Sequence, residues 1–192
     1  EISKEEYKKI TGKDWKKKGN PVISKIEIAK YYIEQAIQSL PSHAEFSVVL
    51  LSSSPRFFQN RLVRASSSNK KKALQFLKKA RPKLDQNLHG LLKKLMKWKT
   101  LDTAYIILDG FPKGGYVDDP KAVREEITMK NLEHAIAMHF RLLLTGASEK
   151  DSKISKTARA LRNKKIRQYY EDFGKWNFGS LKTLIFPLAK GD

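Results

Sequence analysis

Residues 103–110 read TAYIILDG, an apolar run of strand length that ends in Asp-Gly. Its β-branched and aromatic residues, followed at once by a turn dipeptide, predict a buried β-strand. Two further runs have the same character: EFSVVLLS at 45–52, and SLKTLIFPL at 180–188, in which Pro187 restricts the strand to an edge or an end. The sequence therefore predicts two or three short strands.

The longer segments between these runs carry the spacing of amphipathic helices. Ser24 and Glu27 form a capping box at the start of one segment, and Asp119-Pro120 and Gly146 bound another. We predict helices over 24–40, from Ser54-Pro55 to about 64, between Ser66 and Pro82, from Leu84 to Trp98, over 121–145 and over 150–172.

Together these elements predict an α+β protein that is predominantly helical, with about six helices. A chain of 192 residues fits one compact domain. Residues 1–20 mix charges without a clear period, so we expect them to form a basic N-terminal arm. The single helix-rich domain is then expected to span 21–192.

Composition excludes several classes of function. The chain has no cysteine, which rules out disulfides, thiolate metal sites and a cysteine nucleophile. Its apolar runs, such as 48–51, are far shorter than the ~20 residues that a membrane-spanning helix needs. No G-x-x-x-x-G-K-[ST] loop is present to hold nucleotide phosphates, and the four histidines show no metal-binding spacing. We expect no cofactor, no metal site and no catalytic residue.

The charge of the chain is its most unusual property. Lys and Arg number 39 against 20 Asp and Glu, which leaves +19 at pH 7. Residues 64–99 hold twelve cations against one carboxylate, a net +11, and residues 137–192 carry a net +7. Residues 100–136, between these two blocks, carry a net −3. Such uneven charge indicates a cationic surface that faces a polyanionic partner.

We therefore expect a nucleic-acid-binding protein that contacts DNA or RNA mainly through backbone phosphates, at an intracellular site and within a larger nucleoprotein assembly with other proteins. The second cationic block recurs at every third residue, so its side chains wind around a helix. The expected contact residues are Lys70, Lys71, Lys72, Lys78, Lys79, Arg81, Lys83, Lys93, Lys94, Lys97, Lys153, Lys156, Arg159, Arg162, Lys164, Lys165 and Arg167.

Two alternatives remain open at this point. A Mg²⁺-dependent nuclease needs clustered carboxylates beside cationic phosphate binders, and Asp109, Asp118 and Asp119, with Glu125 or Glu126, are the candidates for such a cluster. Basic amphipathic helices also suit a module that docks on an anionic membrane or on an acidic protein.

Overall fold

The computed structural model describes residues 4–12, 14, 23–81, 86–117, 119–145 and 153–186. The helices are α1 (Lys4–Thr11), α2 (Lys25–Ser39), α3 (Ser67–Lys78), α4 (Leu88–Leu95), α5 (Pro120–His134) and α6 (Lys153–Trp176). The strands are β1 (Glu45–Phe46), β2 (Val49–Leu50), β3 (Arg56–Phe57), β4 (Val63–Arg64), β5 (Thr103–Leu108), β6 (Ala137–Thr145) and β7 (Leu181–Phe186).

The chain divides into two compact units. The sheet unit consists of residues 1–25, 103–111 and 137–192, and the hairpin unit consists of residues 26–102 and 112–136. The division into a basic arm and one globular domain over 21–192 stays a prediction. The Tyr7 side chain on α1 is 2% exposed.

The sheet unit contains a three-stranded parallel sheet in the order β5-β6-β7. In its register Ala104 faces Met138 and Leu142 faces Thr183. Parallel strands require long crossover connections, and the chain supplies them through α5 between β5 and β6, and through α6 between β6 and β7. The predicted strands at 103–110 and 180–188 are confirmed, and β7 lies at an edge of the sheet.

The central strand β6 occupies residues that the sequence assigned to a helix over 121–145. That prediction is right for α5 and wrong for 137–145. Helix α5 ends because Ala135 adopts a left-handed backbone conformation with φ 54°, and the apolar residues that follow become buried as an extended strand. A continuous apolar run fits a buried strand as well as a buried helix, so periodicity alone does not separate the two.

Helix α6 packs its second half against the sheet. The Phe140 ring of β6 lies 5.0 Å from the Tyr170 ring and 5.1 Å from the Phe173 ring, measured between centroids. Ile166, Tyr170 and Phe173 are each at most 1% exposed. The helix predicted over 150–172 is confirmed over 153–176, and its buried side chains form part of the core of the sheet unit.

The hairpin unit contains two small antiparallel pairs, β1 with β4 and β2 with β3. The predicted strand at 45–52 is therefore right in part, because it is divided between these two pairs. The predicted helix from Ser54-Pro55 to 64 is wrong, since this segment forms β3 and β4. Phe46 and Phe58, which stack at 6.2 Å, are drawn into a core with Ile37 and Ala73, and this packing outweighs the local helix-start signal.

The remaining helices of the hairpin unit follow the sequence closely. Helix α2 confirms the helix predicted over 24–40, and α3 confirms the one predicted between Ser66 and Pro82, beginning where the Asn69 N–H donates to the Ser66 hydroxyl. Helix α4 buries Leu88 and Leu92 as predicted, while residues 82–85 lie outside the described part. The expected number of six helices is confirmed among the described residues, since α1, in the segment expected to be an arm, joins five of the predicted helices. Because seven strands accompany them and three form a parallel sheet, the chain has α/β character and is helical only in part.

Candidate functional site

A cleft of about 440 Å³ opens at the carboxyl end of the parallel sheet. In α/β proteins this edge is where ligands bind, because the loops that leave parallel strands converge there. The walls come from the start of α2, the ends of β5 and β6 and the first half of α6, all within the sheet unit. The lining residues are Lys25, Asp109, Leu144, Thr145, Ser155, Ala158, Arg159, Arg162, Asn163 and Ile166.

The only carboxylate among these lining residues is that of Asp109, directly after β5. Its Oδ2 atom lies 3.3 Å from the Nζ atom of Lys25, the first residue of α2. Both side chains are partly exposed, so the pair contributes at most about 1 kcal/mol to stability. The Asp-Gly dipeptide that the sequence indicated as a turn thus places a charged pair at the mouth of the cleft.

Helix α6 presents a polar face to the cleft. Ser155, Arg159 and Arg162 recur at helical intervals along this face. The Asn163 amide donates a hydrogen bond of 3.0 Å to the Thr145 carbonyl oxygen, which ties the helix to the end of β6. An Arg162 guanidinium nitrogen lies 4.0 Å from the position that a β-carbon on Gly110 would occupy. Two guanidinium groups, one ammonium group and a single carboxylate therefore line the cleft.

This set of side chains does not fit a divalent cation. Mg²⁺ and Ca²⁺ are held by several oxygen ligands, carboxylates above all, whereas the cleft combines one carboxylate with Lys25, Arg159 and Arg162. Within the described residues no group of three or more His, Asp or Glu side chains could hold a metal ion. The cleft instead carries the charge that suits an anionic group.

The carboxylates proposed for a nuclease site serve other purposes. Asp119 caps α5, since its carboxylate accepts a hydrogen bond of 2.7 Å from the Ala122 N–H. The Glu125 carboxylate lies 3.9 Å from the Lys121 ammonium, one turn earlier on the same helix. Asp118 lies outside the described residues.

Glu126 is the centre of a charge cluster in the hairpin unit. Its carboxylate lies 2.8 Å from the His89 Nε2 atom and 3.2 Å from the ammonium groups of both Lys93 and Lys130. Burial alone would raise the pKa of Glu126, but hydrogen bonds with His89, Lys130 and Lys93 outweigh it and lower the pKa to about 2. One expected contact residue, Lys93, is thus paired within the chain.

Other cations of the first block also have structural partners. The Lys70 ammonium donates to the carbonyl oxygens of Gln38 and Leu40, where it caps the end of α2. The Lys94 ammonium lies 5.9 Å above the centre of the Phe57 ring. Lys83 lies outside the described residues. The remaining cations of this block are exposed, namely Lys71, Lys72, Lys78, Lys79, Arg81 and Lys97.

The second block lies on α6. Arg159 and Arg162 belong to the cleft, whereas the other side chains of the block point to solvent elsewhere on the helix. Those exposed cations are Lys156, Lys164, Lys165 and Arg167. Lys153 begins α6, but its side chain falls outside the described part. Whether any of the expected contact residues touches a partner stays a prediction.

Sequence reasoning missed the cleft although it identified several of its residues. Asp109, Arg159 and Arg162 were all singled out, but for two different kinds of site. Because 137–145 was assigned to a helix, nothing indicated that this segment pairs in parallel with β5, so that Asp109 and Thr145 follow the same edge of one sheet. The alternation of buried residues along AMHFRLLLT is typical of a strand and is the signal that would have identified β6.

No protein-family model matches the chain, and no curated protein matches it either. A solved structure from Catenulispora acidiphila, described as von Willebrand factor type A, is similar with a TM-score of 0.60 at 14% sequence identity. The match covers 83% of this chain and 34% of the other, so this chain spans about a third of that protein's length. Similarity at this level of identity shows the fold, which is an α/β fold of the same kind.

This similarity overturns the expectation of nucleic-acid binding, and with it that of a nuclease. The similar structure is described as von Willebrand factor type A and not as a nucleic-acid-binding protein, whereas the expectation rested on net charge, which says nothing about fold. The structure adds a physical reason, since Lys70 and Lys93 contact groups of the chain itself. As the sequence indicated, the chain is free of cysteine. In the part that the structure describes, no helix is long and apolar enough to cross a membrane.

Proposed function

We propose that this chain is a protein-binding domain of the von Willebrand factor type A fold, and that its protein partner inserts an acidic side chain into the cleft at the carboxyl end of β5 and β6. The observation that carries this proposal is that Lys25, Arg159 and Arg162 line the cleft at that edge of the sheet together with a single carboxylate. The similarity to the Catenulispora acidiphila structure supports the fold on which this edge lies.

The size and chemistry of the cleft favour a protein side chain over a small-molecule ligand. Pockets for small molecules are lined predominantly by apolar and aromatic groups, whereas most residues of this cleft are polar or charged and none is aromatic. A guanidinium group recognises a carboxylate through two parallel hydrogen bonds, which Arg162 is placed to supply from α6. The Lys25 ammonium, already beside Asp109, would add a second cation.

Site-specific photo-cross-linking in an extract of the source cells tests this proposal. A photoreactive p-benzoylphenylalanine is placed at Ala158, an exposed residue of the cleft, and at Ala122, an exposed residue of α5, as the matched control. We expect a discrete protein adduct from position 158 and not from position 122. Arg162→Glu should abolish the adduct. The substitution puts a carboxylate in place of the guanidinium group, and this carboxylate would repel the acidic side chain of the partner.

Three results would contradict the proposal. The first is an adduct that nuclease treatment removes, which would identify nucleic acid in the cleft. The second is an identical set of protein adducts from positions 158 and 122. The third is a protein adduct that Arg162→Glu leaves unchanged. Binding of the partner would then not require the cation in the cleft.

A further inference from the structure

The two halves of α6 have different surroundings. In the second half Ile166, Tyr170 and Phe173 are buried against the sheet. From Ile154 to Lys165 no residue is buried, and only Arg159 and Asn163 are partly covered. The first half of α6 therefore presents a helix surface that nothing in the described part of the chain covers.

An apolar stripe runs along this uncovered surface. Ile154, Ala158 and Leu161 lie at positions i, i+4 and i+7, which fall on one side of a helix. Ile154 is 82% exposed and Leu161 is 53% exposed. Leu161 lies about 140° around the helix axis from Ile166, so the stripe faces away from the buried side.

Cations border the stripe on both sides. Lys164 lies about 60° from Leu161 on one side, Arg162 lies about 40° from Ala158 on the other, and Lys165 continues the stripe one turn after Leu161. Residues 153–167 contain seven cations and no carboxylate. Among the described residues, no carboxylate lies within 4.0 Å of the charged groups of Arg162, Lys164 or Lys165. The surface thus combines exposed apolar side chains with positive charge that no carboxylate of the described residues pairs with.

We infer that the outer face of the first half of α6 docks an acidic amphipathic helix of a partner protein. Such a helix would cover Ile154 and Leu161 with its own apolar ridge and would place carboxylates beside Lys164 and Lys165. A nucleic acid would satisfy the charges alone and would leave both apolar side chains in water. This surface goes beyond the proposed function, because Ile154, Leu161 and Lys164 do not line the cleft.

A binding titration with a defined peptide tests this inference. The probe is a fluorescent helical peptide of three heptads, with Leu at the two apolar positions of each heptad and mainly Glu elsewhere. Its control is a peptide of the same composition in scrambled order, which keeps the charge and loses the apolar ridge. We expect saturable one-to-one binding of the ordered peptide, and an affinity for the scrambled peptide that is at least roughly tenfold lower.

Matched variants of the full chain locate the docking surface. Ile154→Ser with Leu161→Ser, and separately Lys164→Glu with Lys165→Glu, should each lower the affinity for the ordered peptide roughly tenfold or more. The control is Met129→Ser with Leu132→Ser on α5, which removes side chains of comparable exposure, 67% and 61%, and should change the affinity less than about twofold. All these side chains are exposed, so circular dichroism should show an unchanged fold for every variant.

Several outcomes would overturn the inference. Equal affinities for the ordered and scrambled peptides would show that charge alone drives binding. The same conclusion would follow if a duplex DNA oligonucleotide competed with the peptide while the Ile154 and Leu161 substitutions had no effect. Absence of binding at peptide concentrations up to about 1 mM would show that this surface does not dock an acidic amphipathic helix.

Discussion

The Asn131 side chain holds the backbone of Ile136 through two hydrogen bonds. Its amide nitrogen donates to the Ile136 carbonyl oxygen over 2.7 Å, and its amide oxygen accepts from the Ile136 N–H over 3.0 Å. Asn131 is 1% exposed and Ile136 is 2% exposed. Since Ala135 lies between them in a left-handed conformation, this pair marks the point where α5 ends and the chain turns into β6.

Replacing Asn131 with Leu should destabilise the protein by about 2–4 kcal/mol, because the buried N–H and carbonyl of Ile136 would both lose their partner. The measurement is the free energy of unfolding in urea at neutral pH. Glu133→Ala, at an exposed position of the same helix, is the control and should change stability by less than about 0.5 kcal/mol. Equal effects of the two substitutions would show that the hydrogen bonds do not hold this turn.

Ala135→Gly should stabilise the protein by about 0.5–1 kcal/mol. The φ of Ala135 is 54°, a conformation that glycine adopts without the steric strain that a β-carbon imposes, and the residue is exposed, so no packing is lost. Urea unfolding measures the change. Ala122→Gly, in the right-handed first turns of the same helix, should act in the opposite direction by a similar amount. A loss of stability in Ala135→Gly would contradict the left-handed assignment.

Tyr170→Phe should lower stability by about 1–2 kcal/mol while leaving the aromatic packing intact. The buried Tyr170 hydroxyl donates a hydrogen bond of 3.0 Å to the Gly110 carbonyl oxygen. In the Phe variant this carbonyl oxygen would lose its partner. Burial, followed by the charges of Tyr169 and Asp109, raises the pKa of Tyr170 well above its usual value, so the hydroxyl stays a donor at neutral pH. Thermal unfolding tests this, with Tyr105→Phe at a 77% exposed position as a control expected to be neutral.

Glu126→Gln should reduce stability by about 1–2 kcal/mol at neutral pH. The shift of the Glu126 pKa from 4.5 to about 2 means that the folded state favours the carboxylate. The full pKa shift corresponds to about 3 kcal/mol of stability. Because the Glu126 side chain is 35% exposed, solvent screens its ion pairs and their contribution to stability is smaller.

The pH dependence gives the sharper test of this cluster. Because folding lowers the pKa of Glu126, its contribution is present above pH 4.5 and is lost as the pH falls towards about 2. The stability difference between the native chain and Glu126→Gln should therefore shrink as the pH falls from 4.5 towards about 2. Glu125→Gln, which removes an exposed carboxylate 3.9 Å from the Lys121 ammonium on the same helix, is the matched control. A difference that persists unchanged at about pH 2 would exclude the ion-pair explanation.

Gly179→Ala should destabilise the protein by about 3 kcal/mol or more. A β-carbon at this position would lie 1.8 Å from the Met138 carbonyl oxygen at the start of β6, so the strand would have to move. Gly110→Ala is the control, since the nearest atom to its β-carbon, an Arg162 side-chain nitrogen, is 4.0 Å away. Comparable unfolding free energies for the two variants would contradict the close approach of Gly179 to β6.

The sequence predicts most of the elements whose signals are local. The capping box at Ser24, the N-cap at Ser66 and the apolar run at 103–110 each depend on neighbouring residues, and α2, α3 and β5 form where these signals lie. The failures at 54–64 and 137–145 are segments whose local signals are ambiguous. There, pairing with β1 and β2, or between β5 and β7, decides the backbone conformation.

The candidate site divides in the same way. The local sequence indicates that α6 is cationic and that Asp109 follows a buried strand, because each of these features lies within a single segment. It does not reveal that Asp109 meets Lys25, 84 residues away in the chain, or that Lys93 is paired with Glu126. Counting charges treats every cation as available, whereas tertiary contacts assign some of them to carboxylates and carbonyl groups within the chain.

By itself the sequence determined five of the helices, the strands with clear turn signals, the absence of cysteine chemistry and the excess of positive charge. Only the tertiary structure decided that residues 137–145 are the central strand of a parallel sheet and that its carboxyl end forms a cleft. The physical reason is that helix caps and amphipathic spacing act over a few residues. Strand pairing and ion pairing depend instead on which distant segments meet, and no single segment encodes that.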